Sequence, residues 1–461
     1  MTKYPLFGTK PHTDRRVGIT PLVRAILLIL PTLICAQTGS AADKKATPDA
    51  AGILEVYQAA LASDPILRQA AADRQAQQEA KPQARALQLP SIGAAASLDQ
   101  TFLDEPSTPG GDDSLTGYSI GINLTQPIYN RGNQVRQRQA EAIVRQADTD
   151  FASTEQSLVL RVSQSYFDVL SAQDDVKFVR ADKAAIARQL EQAKERFEVG
   201  LVTITDVQEA QARYDQSVAQ EIELLNVLAD TKEALREITG QYFDQLQTLQ
   251  DNVPLKLPDP ADPEEWVKRA ISNNPDLQSA ALATELAKEN IELQRSDRYP
   301  TVDLTASLAD ADNGNSDSRS AQIGLEFSVP LYTGGAISSR VREAAYQYES
   351  AKEQREQVLR AIMRQVQDAY RGAQTAISRV KALDQSRTSS RSALEATEAG
   401  FEVGTRTIVD VLNAQRDLLL AERDYAQSRY TYVLNRLILE QAVGELGVED
   451  LEAVQNWLYT P

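Results

Sequence analysis

The chain has 461 residues, with 65 Asp and Glu against 48 Lys and Arg, a formal charge of −17. Its one Cys and one His, Cys35 and His12, both fall in an N-terminal stretch that reads as a secretory leader, so the mature chain carries neither thiol nor imidazole. Cysteine nucleophiles, Ser-His relays, disulfides and zinc sites built on N or S ligands are excluded, and the acidic balance disfavours nucleic acid as a partner.

The leader spans residues 1–42: basic Lys3, Lys10, Arg15, Arg16 and Arg24, an apolar run from Ala25 to Ala36, then Ser40, Ala41 and Ala42. Its removal leaves a charge of −21. The apolar run holds Pro31 and is shorter than the roughly 20 residues of a spanning helix. Ile34 before Cys35 argues against a lipoprotein signal. An exported chain without a spanning helix is either soluble in the periplasm or crosses a membrane as strands of a closed barrel.

Beyond an Asp64-Pro65 helix start, two segments alternate with period two: Ile92, Ala94, Ala96 and Leu98, then Tyr118, Ile120, Ile122 and Leu124, each interleaved with small or polar residues. Runs of about 9 to 11 residues suit tilted membrane strands. The connection 104–114 has the composition of a hairpin loop in water. From Arg131 to Phe197 there is no Pro, and apolar residues recur at helix spacing, predicting one helix on the order of 100 Å long.

Gly200 follows where a helix end needs a left-handed residue. Thr203 is then an N-cap candidate with Asp206 three residues on. The return helix carries Val207, Tyr214, Leu228 and Leu235 at heptad positions, broken by Glu221. A Pro-rich stretch, 254–263, ends this half.

The second half repeats the first at an offset of about 204 residues. Val302, Leu304, Ala306 and Leu308, then Ile323, Leu325, Phe327 and Val329, alternate around a connection at 310–318. A helix pattern from Ser338 to Phe401 is interrupted by Gly372. Phe401-Glu402-Val403-Gly404, Thr407 and Asp410 return the first turn, and Val411, Leu418, Tyr425, Tyr432 and Leu439 form an unbroken heptad stripe. Arg406 has no first-half counterpart, since Val202 stands there.

Internal duplication fixes the organisation: residues 43–240 as a first repeat, 241–263 as a linker, 264–444 as a second repeat and 445–461 as a C-terminal segment. Four strands cannot close a barrel, which takes about eight, so several chains each contribute four. Asp206 and Asp410 have a local reading as helix caps. Around a rotation axis they also become a ring of negative charge that favours cations. An exposed coiled-coil stalk or adaptor without a pore accounts for the helices alone but not for the strands. An exported hydrolase using paired carboxylates finds no repeated cleft.

Gly404 to Leu412, the first-half Arg196 to Leu201 with Ile204 to Val207, and the closing Ala442-Val443-Gly444-Glu445-Leu446 resemble the TolC-type outer-membrane efflux family over nearly all of the mature chain. The resemblance implies a mainly α fold with a membrane β part: a homotrimer whose 12 strands make one outer-membrane barrel, continued by a 12-helix periplasmic tunnel, with 254–263 and the C-terminal segment forming an equatorial belt. It implies no enzyme activity and no cofactor. The implied partners are outer-membrane lipid, a periplasmic adaptor, and an inner-membrane RND, MFS or ABC transporter. It carries Gln189, Thr205, Asp206, Arg406 and Asp410 over as polar links of a closed tunnel entrance. Two positions depart from the pattern: Phe401 replaces a hydrogen-bonding Tyr, and Asn413 replaces a second ring of Asp. These changes predict one main acidic ring and a looser latch.

Overall fold

The computed structural model of the protein describes residues 50–102, 114–312 and 316–459. The leader predicted at 1–42 and most of the predicted first connection, 104–113, lie outside the described residues. Three short helices open the described residues: α1 (Ile53–Ser63), α2 (Pro65–Gln78) and α3 (Ala80–Ala86). A strand pair, β1 (Ser91–Phe102) and β2 (Ser114–Tyr129), leads into α4 (Arg131–Glu198) and α5 (Ile204–Thr239). After β3 (Thr248–Leu249) the pattern returns as α6 (Pro263–Asn273), α7 (Pro275–Ser296), β4 (Thr301–Asp312), β5 (Asp317–Ser328), α8 (Ala336–Glu402) and α9 (Ile408–Val443). The chain closes with α10 (Val448–Gln455) and β6 (Leu458–Tyr459).

The sheet has the order β1-β2-β4-β5, so antiparallel β2 and β4 join the two halves. Its register puts the four alternating sets in phase. Ala94, Ile122, Leu308 and Ala321 form one rung and Ile92, Leu124, Ala306 and Ile323 the next. The other face carries Gly93, Asn123, Ser307 and Gln322. The apolar face is uncovered: Leu98 is 79% exposed and Ile323 75%. Among the described residues, β1 and β5 have a strand partner on one side only.

The strands are longer than predicted, at 12 or 16 residues, although Val329 lies just beyond the end of β5. The connection read at 310–318 is correspondingly shorter. Asp310 to Asp312 and Asp317 to Ser318 are strand residues, and Arg319 binds Asp310 across the pair at 3.0 Å. Hydrogen-bonded hairpins project beyond the apolar band, where polar composition says nothing against a strand.

Helices α4 and α8 contain 68 and 67 residues, roughly 100 Å each at 1.5 Å per residue. Gly372 does not interrupt α8. A Cβ there would lie 2.9 Å from Asn435 Oδ1, so the glycine lets α9 approach closely. The α9 stripe is inward, with Val411, Tyr425, Tyr432 and Leu439 all buried. Glu221, which breaks the α5 stripe, binds Arg180 and Lys183 of α4.

About halfway along α4 the start, middle and end of the described chain meet in a belt. Ala51 exchanges backbone hydrogen bonds with Gln245 and Gln247, and β3 pairs with β6. Side chains of α4, α6 and α9 clamp the irregular segment that follows α5. Tyr166 Oη donates to Gln247 O (2.7 Å), and Tyr432 Oη accepts from Lys256 N (3.0 Å). Arg429 Nη1 reaches Gln250 O (2.8 Å), and Trp266 Nε1 reaches Pro260 O (2.7 Å). A segment whose only ladder is the two-residue β3–β6 pair thus has several further backbone groups satisfied by side chains, as burial demands.

Each half makes one elbow at this level. Asp64 caps α2 by accepting from Leu67 N at 2.7 Å, and Asn274 caps α7 by accepting from Asp276 N and Leu277 N. Each elbow packs against a left-handed glycine, Gly240 (φ 73°) ending α5 or Gly444 (φ 88°) ending α9.

Candidate functional site at the helical tips

The two hairpin tips are built alike. Gly200 (φ 76°) and Gly404 (φ 77°) take the left-handed conformation that ends α4 and α8, with open space where a side chain would stand. Thr203 and Thr407 cap the return helices, and each closes a reciprocal capping box with an aspartate. Thr203 N donates to Asp206 Oδ2 at 2.8 Å and Thr407 N to Asp410 Oδ2 at 2.9 Å. Bonds from the Thr407 backbone and hydroxyl, with the nearby Arg406 charge, hold the Asp410 carboxyl below the usual carboxylate range. The acid is ionised at neutral pH, as a charged ring requires.

The remaining predicted residues are less closely gathered. Thr205 and Arg406 are exposed, and Arg406 forms no ion pair among the described residues. Its side chain lies against Gly400, where a Cβ would sit 2.8 Å from Arg406 Cγ. Gln189 places Oε1 in a buried position with no hydrogen-bond partner.

The departures acquire partners from the first half. The Arg196 guanidinium sits over the Phe401 ring, 4.4 Å from its centroid, and Arg213 Nη2 donates to Asn413 Oδ1 at 3.1 Å. Both contacts tie one hairpin to the other within a single chain. Phe401 is half-buried, and a cation over an aromatic ring is worth at least about 0.5–1 kcal/mol, so an aromatic without a hydroxyl still links the tips.

A polar seam between α4 and α9, above the tips, was not anticipated. Tyr430 Oη donates to Asp174 Oδ2 at 2.7 Å, and Gln427 Nε2 donates to Asp175 Oδ1 at 3.1 Å. Asp175 and Asp182 then line a groove with Arg213, Arg416 and Arg423. Burial pushes the carboxyls of Asp174, Asp175 and Asp182 up, against the opposing pull of nearby Lys and Arg charges and, at Asp174 and Asp175, of hydrogen bonds. The signal was in the spacing: Asp175 and Asp182, seven residues apart on α4, face Arg423 and Arg416, seven residues apart on the antiparallel α9.

With this geometry in hand, comparisons with known proteins place the chain. Residues 56–241 and 266–445 match the profile of the family "Outer membrane efflux protein". The chain is 39% identical to outer membrane protein TolC of Vibrio cholerae, over 89% of this chain and 94% of the relative. It is 37% identical to outer membrane protein TolC of Escherichia coli, over 89% and 86%. The Campylobacter jejuni CmeC outer membrane channel superposes with a TM-score of 0.72 at 16% identity, covering 93% of this chain and 98% of that one. The duplicated strand-and-helix plan, the twin capped tips and these matches agree: the chain belongs to the outer membrane efflux protein family.

Proposed function

We propose that three copies of this chain form an outer-membrane exit channel, a barrel of 12 strands continued by a helical tunnel, through which small molecules or unfolded polypeptides leave the periplasm. One observation carries the reading. A four-stranded sheet with an uncovered apolar face and two open edges stands on paired helices roughly 100 Å long. An apolar sheet face needs lipid and an open edge needs another strand; identical neighbours in a closed ring satisfy both. A stalk or adaptor without a pore leaves that sheet unexplained. The driving energy comes from an inner-membrane RND, MFS or ABC transporter, joined through a periplasmic adaptor.

Asp206 and Asp410, repeated around the axis, form the selectivity ring; Gln189, Thr205 and Arg406 supply links that keep the entrance closed. Asn413 leaves one acidic ring where two would strengthen cation preference. Phe401 gives a looser latch that Arg196 partly restores. Each link is worth about 0.5–3 kcal/mol, so threefold repetition holds the gate shut yet leaves it openable. The helices part at their tips along the α4–α9 seam, a transition the adaptor biases.

The reading is tested in planar lipid bilayers. The detergent-purified protein is expected to give discrete, cation-preferring conductance steps, and Asp410→Ala to lower the cation-to-anion permeability ratio severalfold. A protein that stays soluble without detergent and never conducts would refute the channel; an unchanged ratio would remove Asp410 from the ring. Arg406→Ala is expected to raise entry of bulky antibiotics in whole cells, seen as lower inhibitory concentrations. Unaltered susceptibility counts against Arg406 as a latch.

A further inference from the structure

The junction between sheet and helices is basic, although the chain as a whole is strongly acidic. Residues 84–90, 130–138, 293–300 and 329–342, which flank the helix-side ends of the four long strands, contain eight arginines and one carboxylate, Asp297. These segments are neighbours in space. Asn133 Nδ2 donates to Leu87 O at 2.6 Å, Gly132 approaches Ser296, and Arg298 Nη2 donates to Ser338 Oγ at 3.2 Å. Three of the arginines are neutralised: Arg138 by Glu289, Arg295 by Glu292 and Arg340 by Asp297. Arg85, Arg131, Arg136, Arg298 and Arg342 form no ion pair among the described residues, and all but the half-buried Arg131 are exposed.

The apolar face of the sheet ends at the same level. Its last rung, Val302 with Phe327, lies beside Tyr129, and the strand-flanking Tyr299 and Tyr332 are 50% and 90% exposed. Tyrosines with an apolar ring and a polar tip mark a bilayer boundary. The opposite end of the same face carries acids, Asp310, Asp312 and Asp317, with only Arg319 among them. The charge is therefore polarised across the band that would contact lipid, and the unneutralised cations sit on the tunnel side.

We propose that this arginine collar binds the phosphates of anionic phospholipids in the periplasmic leaflet, fixing the depth of the barrel in the membrane. The proposal rests on the outer-membrane reading above. Guanidinium groups suit the ligand because their fixed fork can engage two phosphate oxygens at once. Basic residues at an anionic surface each add a factor of about five in affinity.

The mature chain, purified in neutral detergent, would be mixed with equal amounts of phosphatidylglycerol and phosphatidylcholine and weighed with its retained lipids by native mass spectrometry. Phosphatidylglycerol is expected to be retained about fivefold or more over phosphatidylcholine. Arg131→Gln combined with Arg298→Gln is expected to erase most of that preference, and Arg131→Lys with Arg298→Lys to keep most of it. Arg355→Gln with Arg364→Gln, which removes the same charge further down α8, should leave it intact. Far-UV circular dichroism verifies that each variant keeps its helix content. Equal retention of both lipids by the unaltered protein, or equal loss in the two glutamine variants, overturns the collar while leaving the channel standing. Retention of neither lipid by a chain soluble without detergent overturns both.

Discussion

Replacing Asp64 by alanine is expected to destabilise the protein by about 3 kcal/mol, read as a lower thermal midpoint of the detergent-solubilised form. Asp64 is almost completely buried. It caps α2 and accepts from Arg161 Nη1 and Nη2, at 2.8 and 3.2 Å. Losing a cap costs about 1 kcal/mol. Leaving a buried cation unpaired costs about 3–5 kcal/mol, reduced here because the Arg161 side chain keeps 29% of its exposure. Asp64→Asn separates the two contributions, since Asn274 shows that an amide caps the equivalent helix. This variant should keep the cap and lose only the charge pair.

The pH dependence has a definite sign. Burial pushes the Asp64 carboxyl up, but the Arg161 bonds and the Leu67 amide outweigh it and hold the carboxyl below its usual value of 3.8. A depressed folded-state value gives stability that is fully present above the ordinary carboxylate range and is lost as pH falls through the folded value. The unaltered protein and Asp64→Asn should therefore differ most at neutral pH and converge below about pH 4. A constant difference across that range would show that the charge is not what matters.

Gly444→Ala should cost on the order of 3 kcal/mol, from left-handed strain and overpacking together. Its φ is 88°, and a Cβ would lie 2.7 Å from both Asn273 O and Asn274 Cα. Both are backbone atoms of the elbow between α6 and α7, so neither can swing aside. Gly240→Ala is the internal control. It shares the left-handed conformation but meets only the Ser63 side chain at 3.1 Å, so it should cost less than half as much. Equal midpoints for the two variants would remove the close approach from the explanation and leave only backbone strain.

The contrast bears on what was legible beforehand. Gly444 stands out in the closing Ala442-Val443-Gly444-Glu445-Leu446, and the structure supplies the reason: an elbow of the same chain presses on it. Period two located all four membrane strands because one face must be apolar throughout, and their common phase across the register is the strongest agreement between sequence and structure. The tips were legible because they occur twice.

Strand ends were not legible, since Asp312 and Asp317 look like loop residues until the hairpin ladder is seen. The belt was placed only through family likeness, because side chains clamping carbonyls leave no periodic trace. The seam was not legible for a different reason. Asp175 and Asp182 are two of many acids along α4, and only the antiparallel approach of α9 turns their seven-residue interval into contacts.

The β2–β4 pairing imposes an order on biogenesis. Tyr118 finds Asp312 across a separation of almost two hundred residues, and no local hairpin can substitute for that partner. While the polypeptide is being threaded through the secretion machinery, its first hairpin therefore waits with a sticky flank bare, and pairing of this kind is slow and exposed to aggregation. Periplasmic holding chaperones should be needed until the later hairpin emerges to complete the seam between halves.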